Sequence, residues 1–496
     1  MQDILWQPSS YHYNKSNISK FISFINNHYK KDIKSYDDLY DWSITDVSDF
    51  WNSVHQFCDI RLSSNPNTIF NRKDSFIDST WFDGAKLNFA ENLLKFRDDS
   101  IAIEYFCEDQ IKGKITYSQL FERVNRCALY LKSLGVKEGD RVAAFMPNIP
   151  EAIIAMLATS SIGAVWSSCS PDFGIKGVLD RFTQIDPKVL FVSDGYFYKG
   201  KKIKLSSKIK QIKGALSSVK QTICVNLIGS LDIDNCINWN DMPNSNDSIE
   251  FAQVPFAHPL YVMYSSGTTG KPKSIVHSVG GTLLQHLKEL ILHSDLKRSD
   301  KIFYFTTCGW MMWNWLVSSL AVGATLVLYD GNPFYPRNDS LLEIADSIGL
   351  SVFGTSAKYI SFLEQNNIIP EKYSFQKLRL ILSTGSPLIE ENYDFVYNKW
   401  KHDVQLSSIS GGTDIISCFA LGNPIKPVIK GKLQSLGLGM NVKSFDKNGK
   451  SLISDKGELV CVAPFPSMPI YFFNDNNNLK YKSAYFNAYP NIWKHG

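Results

Sequence analysis

No Cys-x-x-Cys pair occurs among the nine cysteines, which stand at 58, 107, 127, 169, 224, 236, 308, 418 and 461. That spacing gives no sign of a zinc site or a disulfide framework. An odd number of scattered thiols fits a reducing compartment, so a cytoplasmic setting is expected. Long hydrophobic runs are also missing. The longest, Ala152 to Trp166 and Leu316 to Tyr329, are interrupted by Ser, Thr or Gly. Both fall short of the roughly 20 apolar residues of a membrane span and read as buried helices and strands, with no membrane insertion. The opening MQDILWQPSSYHYNKSN has no basic-then-apolar signal. Charge of one sign is scarce: the net charge is +4 over 496 residues. That is too little for a dedicated nucleic-acid surface. No internal repeat is found.

The composition is that of a globular protein, 44% hydrophobic and 20% charged. The length calls for two or three domains. Residues 1–95, rich in Trp, Tyr, Phe and Asp, read as an extension packed on the main body. From Ala102 the pattern changes. A strand end leads into an amphipathic helix with Leu120, Val124, Ala128 and Leu131 on one face, closing at Gly135. Arg141 to Met146, Gly163 to Ser168 and Lys188 to Ser193 read as strands with helices between them. This alternation predicts an α/β fold of doubly wound, mostly parallel sheets. Two such lobes are expected over 96–429, divided near 226–258, with the second beginning near Leu260. Residues 430–496 read as a small, barrel-like subdomain of short antiparallel strands.

The most informative stretch follows the apolar run Leu260 to Met263. Nine consecutive residues, Ser265 to Lys273, are hydroxylic, glycine, lysine or proline. Gly267 and Gly270 let backbone N–H groups turn toward a ligand. Ser265, Ser266, Thr268 and Thr269 add hydroxyl donors, and Lys271 and Lys273 add positive charge. The pattern predicts a phosphate cradle at a strand's carboxyl end; a solvated Gly/Ser turn is the competing reading. Pro272 stands where a Walker A loop needs Ser or Thr, and the glycine spacing is wrong for one, which disfavours a P-loop phosphotransferase.

Other segments lie at strand ends predicted in the same lobe, where one sheet would offer them one crevice. Gly385, Ser386 and Pro387 form a stiff turn that could flank a flat base or simply join strand to helix. Gly412, Thr413 and Asp414 combine exposed backbone, a hydroxyl and a hard oxygen ligand suited to Mg²⁺; a helix N-cap is the plain alternative. Trp310, Met311, Met312 and Trp313 form a wall of a substrate pocket or an aromatic core helix. Gly354, Thr355 and Ser356 are candidates for a second wall.

Together these segments resemble the adenylate-forming superfamily of acyl-CoA synthetases. Tyr264 to Ser274 is similar to its phosphate-loop signature. Gly385-Ser386-Pro387 and Thr413-Asp414 follow in the family's order and spacing, although many members carry Glu where Asp414 stands. Within the superfamily, the segments Trp81 to Leu94, Gly309 to Val317 and Ser410 to Ile415 most resemble the acetoacetyl-CoA synthetases. The resemblance implies ATP-dependent activation of acetoacetate as an acyl-adenylate, release of pyrophosphate and transfer to CoA, with Mg²⁺ as the metal. It implies that Ser265 to Lys273 hold the β- and γ-phosphates, that Thr413 contacts the α-phosphate, that Asp414 contributes to the Mg²⁺ site, and that Lys271, Thr413 and Asp414 are the catalytic residues. It also implies that Gly385 to Pro387 flank adenine and that Trp310 to Trp313 with Gly354 to Ser356 shape the acyl pocket. Lys199, Lys201 and Lys202 match a basic stretch that faces the CoA nucleotide in relatives, or are a solvated charge run.

The sequence closes on Trp493-Lys494-His495-Gly496. The resemblance implies a following Asp for the ribose, a hinge and a C-terminal lid, so a fragment lacking the lid, with doubtful turnover of its own, is expected. The competing functions are ligation of another short acid, such as acetate or propionate, and nucleotide binding without turnover.

Overall fold

The computed structural model describes residues 3–230, 232–245, 247–265 and 270–495. Its helices form where the sequence provides both an apolar stripe and a start signal. In Tyr117–Ser133, Thr116 accepts from the Gln119 N–H while Gln119 reaches back to the Thr116 N–H, satisfying two donors that a helix start leaves open. Leu120, Val124, Cys127, Ala128 and Leu131 are buried on one face. The chain leaves the helix through Gly135 at φ 75°, a conformation that glycine adopts without steric cost.

Two large sheets form the body. The first has eight strands in the order Ile237–Asn238, Gln221–Val225, Val189–Ser193, Arg141–Phe145, Val165–Cys169, Pro259–Ser265, Lys273–Ser278 and Tyr471–Phe472. Its pairings are parallel up to Pro259–Ser265 and antiparallel beyond. The second has seven strands in the order Gln405–Ser408, Leu380–Thr384, Val352–Ser356, Lys301–Tyr304, Thr325–Asp330, Ile101–Cys107 and Ile111–Thr116. Only its last pairing is antiparallel. The α/β class and the predominance of parallel pairing agree with the expectation.

The division near 226–258 does not. Ile101–Thr116 lies in the seven-stranded sheet, and Pro259–Ser278 lies in the eight-stranded one. Leu260 to Met263 does not begin a second sheet: it continues the first, pairing Tyr261 with Trp166. A continuous apolar run specifies a strand buried on both faces but not which sheet it enters. The phosphate loop therefore stands on one large sheet and the Gly385 turn on the other, while the Thr413 turn joins Ser410–Gly412 to Ser417–Leu421 in a separate three-stranded sheet with Ser435–Leu436.

The terminal segments join this body. In the N-terminal extension, helices Asn17–Tyr29, Tyr36–Thr45 and Val47–Phe57 carry apolar faces. The Asn17 N–H donates to Asp295 at 2.7 Å, and the Tyr40 hydroxyl donates to the Met440 carbonyl at 2.9 Å. In the C-terminal part, Ser451–Leu452, Val442–Phe445, Glu458–Cys461 and Trp493–Lys494 form an open four-stranded antiparallel sheet. It is not the expected barrel, because Tyr471–Phe472 leaves to extend the eight-stranded sheet. All nine cysteines are free thiols, eight of them buried. Among the described residues no helix is long and apolar enough to cross a membrane.

Candidate active site

Strand Pro259–Ser265 and strand Lys273–Ser278 form an antiparallel hairpin whose tip carries the hydroxyl-rich loop. Ser266, Gly267, Thr268 and Thr269, part of the expected cradle, lie outside the described residues. The two ends of the loop converge on Asp414. Lys273 Nζ is 2.9 Å from Asp414 Oδ1, and Ser265 Oγ is 3.5 Å from the same oxygen. Gly270 has φ 105°, outside the range that a side chain tolerates easily. Lys271 is exposed, and its charge is felt by Asp180. Lys273 is the lysine paired with Asp414.

Asp414 is buried. Burial alone would raise its pKa, but the charge of Lys273, hydrogen bonds from Tyr485 and Lys273, and the nearby His495 together hold it below the usual carboxylate value. The Tyr485 hydroxyl donates to Asp414 Oδ1, and its ring stacks on Trp493 with centroids 3.8 Å apart. Lys273 Nζ also lies 5.0 Å from the centre of the Tyr485 ring. Sequence reasoning missed Tyr485: a tyrosine 71 positions from its partner leaves no local pattern. Asp414 does not cap a helix, since the turn after it leads into strand Ser417–Leu421. A Cβ on Gly412 would come within 3.1 Å of the His495 ring, a tight contact that would press on that ring.

Gly385, at φ 89°, Ser386 and Pro387 border a cleft of about 340 Å³ together with Ser408 to Gly411. Gly431, Lys432 and Leu433 close it; none of these three was a candidate from sequence. Thr384 ties the two sides by donating its hydroxyl to the Ile409 carbonyl at 3.0 Å. Glycine, serine and proline dominate its lining, with Leu388, Ile409 and Leu433 as apolar neighbours, a mixture suited to a small organic ligand.

The tryptophan cluster divides. Trp310 is half-buried and lies beside the base-side turn, 3.9 Å from where a Gly385 Cβ would be. Met311, Met312 and Trp313 are buried in helix Met311–Val317. The Trp313 indole donates to Asn148 at 3.0 Å, and that of Trp315 donates to Glu289 at 2.9 Å. For Met312 and Trp313 the core-helix alternative describes the packing better than a pocket wall. Gly354 is also a packing position, since a Cβ there would fall 2.1 Å from the Tyr304 ring. Thr355 is fully buried, and Ser356 caps helix Ala357–Gln365.

Lys199 and Gly200 form the turn of a two-stranded hairpin, Gly195–Tyr198 with Lys201–Lys204. Both have positive φ, as such a tight turn demands. Their N–H groups each donate to the buried Glu108 carboxylate at 2.7 Å. Lys202 Nζ donates to the Ile228 carbonyl at 2.9 Å, while the Lys199 and Lys201 side chains are exposed. Nothing among the described contacts ties these lysines to Asp414.

Residues 89–471 match the family described as AMP-binding enzyme, and residues 36–93 match that described as acetyl-coenzyme A synthetase N-terminus. Acetoacetyl-coenzyme A synthetase of Rhizobium meliloti (strain 1021) is 46% identical over 500 residues, covering 99% of this chain and 76% of that protein. Acetoacetyl-CoA synthetase of Danio rerio is 43% identical, covering 99% and 75%. The solved structure of acetoacetyl-CoA synthetase from Streptomyces lividans superposes with a TM-score of 0.95 at 39% identity, over 99% of this chain and 77% of that one. Malonamoyl-CoA synthetase vrtB of Penicillium aethiopicum is 36% identical, covering 100% and 72%. The chain belongs to the AMP-binding enzyme family, alongside the acetoacetyl-CoA synthetases. It spans about three quarters of the length of these relatives. The expectation of a lidless fragment is withdrawn.

Proposed function

We propose that this chain is an ATP-dependent acid–CoA ligase that activates acetoacetate and passes it to CoA. The observation that carries the reading is Asp414, which the lysine of the phosphate hairpin on one sheet grips beside the base-sized cleft of the other. An acyl carboxylate oxygen attacks the α-phosphorus of ATP, and the bond from that phosphorus to the bridging oxygen breaks, releasing pyrophosphate. The CoA sulfur then attacks the acyl carbonyl, AMP leaves, and the thiol proton passes to solvent or to AMP. The first step needs charge neutralisation and alignment more than covalent help.

Lys273 supplies positive charge at the hairpin, Thr413 a hydroxyl beside it, and Ser386 with Gly385 the wall against the base. The carboxylate of Asp414 fits a hard cation that is otherwise held by phosphate and water oxygens. Its contacts with described residues fall on Oδ1, which leaves Oδ2 as the oxygen suited to Mg²⁺. Bound there, Mg²⁺ would neutralise charge on the phosphates. Trp310, half-buried beside Gly385, is the residue of its cluster that this reading assigns to the acyl group. The family resemblance assigns Lys199 and Lys201 to the CoA nucleotide. Free thiols throughout fit a reducing cytoplasm.

The names of relatives favour a 3-oxo acid or its amide analogue over acetate. The test is acid-dependent exchange of pyrophosphate into ATP. Acetoacetate should support faster exchange than acetate, propionate or malonamate; faster exchange with acetate would overturn the substrate assignment.

A further inference from the structure

The turn that carries Thr413 and Asp414 is strained, and two buried histidines hold it: His286 Nε2 lies 2.8 Å from the Ile416 carbonyl oxygen, and His277 takes the Thr413 carbonyl. Ile416 has φ 46°, a left-handed conformation that β-branched residues avoid. The turn is closed by the Ile415 N–H donating to Gly412 O and the Ile416 N–H donating to Thr413 O, each at 3.2 Å. The strain persists only if the surroundings fix it. His277, on strand Lys273–Ser278, has a fully buried side chain with Nε2 2.9 Å from the Thr413 carbonyl oxygen. A carbonyl can only accept, so this geometry requires the tautomer with the proton on Nε2. Burial lowers the His277 pKa to about 4, consistent with a neutral ring at pH 7.

Lys273, Ile275 and His277 alternate onto one face of their strand. Lys273 pairs with the Asp414 carboxylate, Ile275 shares an apolar cluster with Ile415, and His277 bonds the Thr413 carbonyl. The outgoing strand of the phosphate hairpin therefore grips the turn at three successive inward positions. We propose that His277 is a positioning residue for adenylation: it fixes the peptide plane between Thr413 and Asp414 and so sets both groups against the reacting phosphates. The proposal rests on the ligase reading given above.

His293 provides an internal control. It is equally buried and its Nδ1 also lies 2.8 Å from a carbonyl, that of Gly422, but it does not touch the turn. In full-chain protein, His277→Leu should lower kcat of acetoacetate-dependent pyrophosphate exchange by about tenfold or more, while KM for ATP changes by less than about threefold. His277→Gln, whose amide nitrogen can occupy the Nε2 position, should recover most of the rate. His293→Leu should lower Tm comparably and leave kcat within about twofold of wild type. Amide hydrogen exchange over 410–418 should rise in His277→Leu and stay unchanged in His293→Leu. The proposal is overturned if His277→Leu keeps wild-type kcat, if His277→Gln is as slow as His277→Leu, or if His293→Leu is equally slow. If wild type shows no exchange with any acid, the ligase reading fails, and the hydrogen-exchange arm still decides whether His277 holds the turn.

Discussion

Replacing Glu289 with glutamine tests how the tryptophan helix is fastened to the Asp414 segment. Glu289 is fully buried in the π-helical stretch Lys288–His293. One carboxylate oxygen accepts from the Ser417 hydroxyl and, at 3.0 Å, from the Cys418 N–H. The other accepts from the Trp315 indole at 2.9 Å. The equally buried Lys288 ammonium lies 3.7 Å away and donates to the Leu438 carbonyl at 3.1 Å. Glutamine can replace only one acceptor. Its NH₂ must face either the Trp315 N–H or the donors of Ser417 and Cys418, and Lys288 is left without a counter-charge. Removing one partner of a buried pair costs about 3–5 kcal/mol. At about 2.1 cal/mol/K per residue, a chain of this length has an unfolding entropy of about 1 kcal/mol/K if it melts as one unit, so Tm should fall by about 3–5 °C. Scanning calorimetry of Glu289→Gln beside wild type measures this. Glu343→Gln is the comparison, because its pair with Arg337 is half-exposed and should cost no more than about 0.5 kcal/mol. A loss below about 1 °C for Glu289→Gln, or equal losses for the two variants, would refute the account of the network.

Three further outcomes follow from the site and its supports. Tyr485→Phe removes the hydroxyl that donates to Asp414 and leaves the Lys273 pair; a hydrogen bond to a charged acceptor contributes about 1.5–3 kcal/mol, so Tm should drop by about 2 °C and kcat of exchange should fall, both read on one preparation. Asp330 has its pKa raised to about 7, mainly by burial and then by Glu108 and Asp172, against the opposing Asn148 N–H bond. A carboxyl with a raised folded pKa binds its proton more tightly in the folded state, so its favourable contribution is present at low pH and is lost as pH climbs toward 7. Asp330→Asn should accordingly be more stable than wild type by up to about 4 kcal/mol at pH 8, with the gap closing toward pH 4, measured as urea midpoints across that range. Trp310→Ala should shift acid preference toward bulkier 3-oxo acids in the exchange assay; an unchanged preference would remove Trp310 from the acyl pocket.

What the sequence disclosed follows from where the physics is local. Helix Tyr117–Ser133 was legible because its apolar spacing, capping residues and closing glycine lie within one stretch. The hydroxyl-rich hairpin, the Gly385 turn and Asp414 were legible because their residue types are unsuited to a core and follow apolar strands. Sheet membership was not. A strand's alternation shows which faces are buried but carries no mark of its neighbour, so Pro259–Ser265 could be assigned to the wrong sheet. The sorting of the tryptophans was equally hidden. Trp310 stands just before the helix and stays half-exposed, whereas Trp313 and Trp315 point their indoles at Asn148 and Glu289, which lie far away in sequence. Tyr485 and His277 reach the site across 71 and 136 positions, and each reads locally as an ordinary core residue.

Division of the site among separate sheets makes its geometry depend on what joins them, and the joints between the two large sheets include polar ones. Asn148 follows strand Arg141–Phe145 of the eight-stranded sheet. Its N–H donates to Asp330 at 2.8 Å, its amide donates to the Thr306 and Tyr329 carbonyls, and its carbonyl accepts from Trp313. Glu108, on the hairpin at the edge of the seven-stranded sheet, accepts from Lys199, Gly200 and Asn332. Apolar packing between sheets tolerates sliding better than directed hydrogen bonds do, because dispersion is non-directional whereas a buried donor or acceptor without its partner is costly. These two side chains therefore tie the seven-stranded sheet to the segment after Arg141–Phe145 and to the Gly195–Lys204 hairpin, and the cost of leaving any of these buried groups unpaired resists sliding between them.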